Sequence, residues 1–405
     1  MVKPGYKHTE IGVLPEDWDV VSLLDEADLL NGLTYTPSNV RDYGLLVMRS
    51  SNVQNGRFAF DDNVYVNCDV EDSKLIKKGD ILICVRNGSA ALIGKCAKAD
   101  RDYNATFGAF MAVLRGANND YLHQLLQQGA IQRHIAKNSD STINQITNGD
   151  FKQIAIPFPK SQAERTTISA VLSDIDTLIV NLEKLIAKKK AIKQGAMQEL
   201  LTGKRRLPGF DGEWVDLEIG KHGHLLRESI DPQAHPNVMF SEYSMPAFDD
   251  GQMAVKKYGA DMHSNRTAIY GTVLLFNKLN VRQKRIWLVN AMENYAVCSS
   301  EFLPYYSETI DLRLLQQLLS TEKITNDFIG MSTGTSNSQK RITPKNFLEY
   351  TVYVPRDINE QAAIADILAD MDSEISQLQQ TLEKYRLIKQ GMMSELLTGN
   401  IRLVK

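Results

Sequence analysis

The chain repeats itself at an offset of 196 residues, and the repeat is sharpest along what reads as the end of a long helix. Ile192–Leu207 reads IKQGAMQELLTGKRRL and Ile388–Leu403 reads IKQGMMSELLTGNIRL, identical at 12 of 16 positions without a gap. The same offset pairs Ile146 with Ile342, Phe151 with Phe347, Pro159 with Pro355, Glu164 with Glu360, Ile168 with Ile364 and Trp18 with Trp214. Between these anchors the copies scarcely resemble each other. Such a pattern constrains the fold to one frame used twice, carrying two different globular parts.

The frame is helical. From Ile168 apolar residues recur at Val171, Leu172, Ile175, Leu178, Ile179, Leu182, Leu185, Ile186 and Ile192, a spacing of three and four that marks one face of a helix, and the second copy repeats it from Ile364. Each helix should run about 35 to 40 residues, roughly 55 to 60 Å, and stop at Gly203 or Gly399 in a left-handed cap. One helix leads into the second globular part and the other leads away from it, so an antiparallel coiled coil is the economical arrangement. Gly195 and Gly391 lie inside these helices, where glycine costs about 0.5 to 1 kcal/mol relative to alanine. Their recurrence after Lys-Gln reads as close approach by another backbone or by a partner protein, with Leu200 and Leu396 joining the candidate partner surface.

Elsewhere the periodicity shortens to strand-like runs, at Asp80–Val85, Phe107–Leu114, Thr272–Phe276 and Leu348–Val354, with a short helix expected at Tyr121–Ala136 and another at Asp311–Phe328. The expected fold is α+β: two mixed, β-rich domains at residues 1–158 and 208–354, joined by long helices at 159–207 and 355–405. Leu14-Pro15 before Trp18 echoes Leu207-Pro208 before Trp214. The start of the chain therefore looks like a continuation of the second helix, which implies a cyclic, pseudo-twofold arrangement.

Searching for chemistry mostly excludes it. Residues 88–95, GSAALIGK, have five residues between the glycines where a phosphate loop has four, and Cys96 stands where that loop needs Ser or Thr. His222 and His224 lack a Cys or carboxylate at ligand spacing. Asp174 and Asp176, like Asp370 and Asp372, point about 200° apart on a helix and cannot share an ion. Neither a catalytic nor a metal site is expected, and no cofactor. The four cysteines form no CxxC pair and read as reduced core residues. With neither a leader nor an apolar run of about 18 residues, a cytoplasmic location with no membrane contact is expected.

Three sets of polar loops interrupt the strand pattern. Arg49 and Asn52 flank Ser50-Ser51, and Arg86-Asn87-Gly88-Ser89 follows the strand after Gly79. Lys278, Asn280, Arg282, Lys284 and Arg285 place four cations within eight residues. A third set, Ser141, Thr142, Asn144 and Gln145, is matched by Ser336, Asn337, Ser338, Gln339, Lys340 and Arg341. Arginine and asparagine suit bidentate contacts to guanine and adenine edges, and the remainder suit phosphates. The net charge of −3 gives no global attraction to a polyanion. Residues 1–158 carry 16 basic and 19 acidic side chains and 208–354 carry 14 and 17, so DNA binding would need help from basic partners.

Taken together and in order, these features resemble the specificity subunits of type I restriction-modification systems. The resemblance rests on the two Leu-Pro…Trp openings, Gly79-Asp80-Ile81-Leu82-Ile83, Phe276 to Arg282, Ser299-Ser300-Glu301-Phe302, the helix entries Pro159 to Ile168 and Pro355 to Ile364, and the paired Glu-Leu-Leu-Thr-Gly endings. It implies two target-recognition domains reading the halves of a bipartite site on double-stranded DNA. It further implies helices that dock two modification subunits, which bind S-adenosylmethionine and methylate adenine, and restriction subunits that add ATP- and Mg2+-dependent translocation and cleavage. The second copy departs from the first in having Gly271-Thr272 where the first has Gly79-Asp80, and nothing in the first matches Ser299-Ser300-Glu301-Phe302. A reading from another class stays open, a coiled-coil interaction protein whose domains bind proteins or glycans.

Overall fold

A computed structural model describes residues 3–138, 144–334 and 339–403, with both helices and sheets. Contacts group the chain into two compact units. Unit 1 is Met1–Glu183 with Thr381–Lys405, and unit 2 is Lys184–Gln380, so each unit holds one β-rich part and half of each long helix.

In unit 1 a four-stranded antiparallel sheet runs in the order Cys96–Lys98, Ile81–Cys84, Met111–Arg115, Asp28–Asn31. Ile81–Cys84 is buried throughout, which is why ILIC shows no alternation and lies at the centre. A second sheet orders Ala105–Phe107, Leu45–Met48, Val64–Val66 and Val40–Arg41, with its first pair parallel. Unit 2 repeats the first sheet as Ile286–Ala291, Gly271–Asn277, Phe302–Tyr306, His224–Leu225. Its second sheet has five strands, among them Ala296–Ser299 parallel to Met239–Tyr243, which is followed by antiparallel Val255–Tyr258. Two β-rich parts that share almost no sequence share the strand order of the antiparallel sheet.

The structure corrects several boundaries. The run Phe107–Leu114 is two strands, Ala105–Phe107 and Met111–Arg115, separated at Gly108. Gly32 approaches this break so closely that a Cβ on it would lie 2.1 Å from the Gly108 carbonyl oxygen. Each expected short helix is a pair: Asn119–Leu126 with Gly129–Asn138, and Leu312–Leu319 with Glu322–Met331. Thr321 caps the last of these by accepting from the Ile324 amide at 3.4 Å, so a hydroxyl breaks what apolar spacing alone joins.

The long helices span Gln162–Leu200 and Ile358–Leu396, 39 residues each, and Gly203 and Gly399 lie beyond them at φ +69° and +68°. The buried seam is narrower than the sequence stripe. Ile168, Leu172, Ile175, Ile179 and Ile186 are buried, but Leu178, Leu185 and Ile192 are exposed. Within unit 1 Ile168 and Leu172 share a core with Met393, Leu396 and Leu397, while Lys389 pairs with Asp176 at 2.7 Å and Arg386 with Glu183 at 2.8 Å. Within unit 2 Leu200 and Leu201 share a core with Ile364 and Leu368, and Lys193 and Lys189 pair with Asp372 and Glu374. Asp176 and Asp372 are thus inter-helix ion-pair partners.

Each unit carries the same polar lock at a helix entry. In unit 1 the buried Glu164 accepts from Arg402 (Nη2–Oε2 2.8 Å) and from the Trp18 indole at 3.2 Å, and Arg402 also grips Asp17 at 2.9 and 2.8 Å. In unit 2 the buried Glu360 accepts both arms of Arg206 at 2.7 and 2.8 Å, with Arg206 over the Trp214 ring. All three lock positions repeat at the 196-residue offset.

Candidate nucleic-acid interface

In unit 1 three loops are laced together at one end of the antiparallel sheet. The amides of Val85 and Arg86 both donate to the Phe110 carbonyl at 3.0 and 3.1 Å, Ile146 donates to Val85, and Asn87 donates to the Asn144 carbonyl at 3.3 Å. Asn144 adopts a left-handed φ of 46°, from which its side chain donates to the Gly88 carbonyl at 3.2 Å. Asn87 donates to Ser50 Oγ at 3.0 Å and accepts from the Ser89 amide, tying in the loop that carries Arg49. Arg49, Arg86, Asn87, Ser89 and Asn144 therefore gather on one rim. Ser141 and Thr142 lie outside the described residues.

Asn52 does not join them. It is fully buried, its Oδ1 accepts from the Arg49 amide at 2.9 Å, and its Nδ2 donates to the carbonyls of Ala59 and Asp62 and to Asn63 Oδ1. Its role is to shape the loop, which corrects the expectation that it faces DNA. Asn52→Ala should lower stability by about 1 to 3 kcal/mol by leaving buried groups unpaired, as urea unfolding would register. An unchanged midpoint would refute that role.

The counterpart in unit 2 is the hairpin between Gly271–Asn277 and Ile286–Ala291. Its tip is a single 3-10 turn, Val281–Gln283, flanked by left-handed Asn280 and Lys284. Asn280 donates its amide to the Lys340 carbonyl at 2.9 Å and Ile342 donates to that of Lys278, so Lys340 and Arg341 lie beside the tip. Ser338 lies outside the described residues, as do Ser336 and Asn337.

The basic cluster is less basic than its sequence. Arg285 is mostly buried, 14% exposed at its side chain, and grips Asp249 at 2.8 and 2.5 Å; that hydrogen bonding holds the Asp249 carboxyl below its ordinary value. Lys284 pairs with Glu322 at 2.5 Å, and Arg341 with Glu301 at 3.2 and 3.1 Å. The burial of Arg285 against Asp249 corrects the expectation that it is free to meet DNA, whereas the Lys284–Glu322 and Arg341–Glu301 pairs are surface pairs that a polyanion can displace. Arg282 remains exposed at the tip and Lys278 and Asn280 partly so, none with an ion-pair partner among the described residues.

Both ends open into clefts. In unit 1 a cleft of about 690 Å³ is lined by Tyr35, Arg49, Ser51, Asp62 and Phe110 among others, and Arg49 is held by Asp62 at 2.8 Å. In unit 2 one of about 340 Å³ is lined by Met245, Asp249, Asn280, Gln283 and Arg285. Each cleft adjoins the strand that takes part in the parallel pair, and each holds an Arg–Asp pair whose members come from different segments. Asp62, Phe110 and Asp249 were not singled out from sequence. The one available signal was Gly108, which breaks the strand and turns Phe110 outward.

On the helices, a Cβ built on Gly195 or Gly391 would meet nothing within 4 Å, so among the described residues no other segment's backbone approaches them there. Leu200 and Leu396 are core residues at 5% and 4% exposure, which corrects their assignment to a partner surface. Among the described residues no His, Cys, Asp or Glu cluster could hold a metal, and no helix is long and apolar enough to cross a membrane.

Comparison with known proteins places these loops in context. A family model described as "Type I restriction modification DNA specificity domain" matches residues 15–194. The chain is 23% identical over 432 residues to the type I restriction enzyme EcoKI specificity subunit of Escherichia coli, covering 96% of this chain and 90% of that protein. Residues 15–194 match the type I DNA specificity family, and the likeness to specificity subunits extends along nearly the whole chain. Another similar protein, the putative type I restriction enzyme MjaX specificity subunit of Methanocaldococcus jannaschii, is 26% identical over 436 residues, covering 98% and 97%. The crystal structure of the type I restriction-modification S subunit from M. genitalium shares the fold with TM-score 0.63 at 15% identity, covering 98% of this chain and 99% of that one. The matched residues 15–194 contain the unit 1 rim, its cleft and Glu164 of the lock.

Proposed function

We propose that this chain reads a bipartite, asymmetric sequence on double-stranded DNA and scaffolds the subunits that act on it. The recognition domains are residues 1–158 and 208–354. The helices within 159–207 and 355–405 form an antiparallel coiled coil, related by a pseudo-twofold axis in a cyclic frame, that sets the distance between half-sites. The observation that carries this reading is that two units whose antiparallel sheets share one strand order present different side chains at the corresponding loops. One scaffold with two readers suits a site whose halves differ.

Catalysis belongs to partners: two modification subunits using S-adenosylmethionine, and restriction subunits using ATP and Mg2+. The phosphate-loop-like residues 88–95 do not fit a nucleotide, since Ala90–Leu92 closes as a 3-10 turn and Lys95 Nζ reaches the Ser50 carbonyl at 3.4 Å. Exposed Gly195 and Gly391 are the proposed docking positions for the modification subunits, because a bare backbone on an open helix face permits close approach. A cytoplasmic complex is the setting this role requires.

The test is methylation mapping by single-molecule sequencing in a methylation-deficient host expressing this chain with its neighbouring modification subunit. An interrupted, asymmetric motif with N6-methyladenine on both strands is expected. Assembly of the complex without any motif would overturn the proposal.

A further inference from the structure

The unit 1 cleft combines features that suit one kind of ligand edge. Arg86 is exposed, has no carboxylate partner among the described residues, and lies over the Phe110 ring with 5.2 Å to its centroid. Phe110 is 54% exposed on the loop that Gly32 and Gly108 hold against the sheet. Behind it, Arg49 Nε and Ser51 Oγ are buried without a hydrogen-bond partner. Arg49 is neutralised by Asp62, so Arg86 is the rim's uncommitted cation.

Stacking an arginine on an aromatic ring fixes the plane of the guanidinium while leaving its edge free to donate. Two parallel donors in a fixed plane match the O6 and N7 acceptors of guanine. The 5-methyl of thymine is the apolar group that the major groove offers to a phenyl ring. A phosphate contact would need neither the ring nor the fixed plane, and a lysine would serve it equally. Phe110 contributes nothing to the buried core from this position, so its value lies in what it meets outside.

We infer that Arg86 and Phe110 together read a guanine beside a thymine in the half-site of unit 1, Arg86 donating to guanine O6 and N7 and Phe110 covering the thymine methyl. The inference rests on the DNA-specificity reading and names the bases that one domain selects. Arg86 and Phe110 are specificity-determining residues in it, and the Arg49–Asp62 pair lines the cleft beside Phe110.

The experiment is selection from a randomised duplex library by the full chain assembled with its modification subunits, comparing the unaltered chain with Arg86→Lys and Phe110→Ala. Arg86→Lys keeps the charge and should lose about tenfold of the preference for guanine at one position of one half-site, leaving the other half unchanged. Replacing thymine by deoxyuridine at the neighbouring position should weaken the unaltered complex several-fold and leave Phe110→Ala indifferent. Arg86→Lys folds without a cavity, so loss of discrimination with retained affinity is not a folding effect. A motif unaffected by Arg86→Lys, a uniform loss over all sequences, or a motif with no guanine in either half would overturn the assignment while leaving the specificity reading intact. No enriched motif from the unaltered complex would overturn both.

Discussion

Replacing Arg402 with alanine should cost about 3 kcal/mol of stability, at the lower end for breaking a buried ion pair because the arginine itself is partly exposed. Glu164 has no solvent exposure at its side chain, and with Arg402 gone the Trp18 indole is its remaining side-chain partner among the described residues. An ionised carboxylate left there is penalised far more than the exposed half of the pair gains from water. Urea unfolding should show the fall in midpoint, and Arg402→Lys should recover only part of it, since one ammonium cannot hold Asp17 and Glu164 in two forked contacts. The pH dependence has a defined sign. Hydrogen bonding from Arg402 lowers the Asp17 pKa below its ordinary 3.8. The stability it contributes is therefore present above about pH 4 and is lost as pH falls through the lowered value. Arg402→Ala should flatten that acid limb. A variant with an unchanged midpoint would show that the lock is ornamental.

Seven residues inserted into each long helix, after Glu183 and after Gln380, should lengthen the unread spacer of the DNA site by about three base pairs. At 1.5 Å per residue the insertion adds about 10.5 Å, against about 3.4 Å per base pair. Seven residues turn through about 700°, only 20° short of two full turns, so the apolar seam is kept. A four-residue insertion adds about 6 Å but rotates the rest of the helix by about 40°, and should weaken DNA binding more than it shifts the spacing. Methylation mapping of the seven-residue variant reads the spacer directly. An unchanged spacer, with the half-sites still recognised, would rule out the helices as the ruler in the proposed coiled coil.

The helices, their ends and the doubling were legible because each depends on local spacing: three- and four-residue recurrence from Ile168 and Ile364, then Gly203 and Gly399. Loop roles were not legible to the same degree. Asn52 and Arg285 have the right chemistry for DNA, but their partners, Asp62 and Asp249, come from other segments that folding brings alongside. Sequence shows a side chain's capacity to bond; the fold decides which group takes it up. Arg86 differs from Asn52 and Arg285 in that the neighbouring loop offers it a ring, Phe110, and the described residues offer it no ion pair. The lock lay in plain view as repeat anchors, Glu164 with Glu360 and Arg206 with Arg402, though nothing local says that a carboxylate near a helix entry will be buried.

That lock also settles how many copies of the repeat the frame requires. Within one copy, Glu164 stands at the start of a 39-residue helix and Arg206 lies beyond its end, so the length of that helix separates them in sequence. Those two side chains never meet; Glu164 is met by Arg402 and Arg206 by Glu360. A protein holding a single repeat would own every component of the lock and be unable to turn the key in itself. Two repeats in one chain, or two single-repeat chains associating head to tail, are the ways to close it.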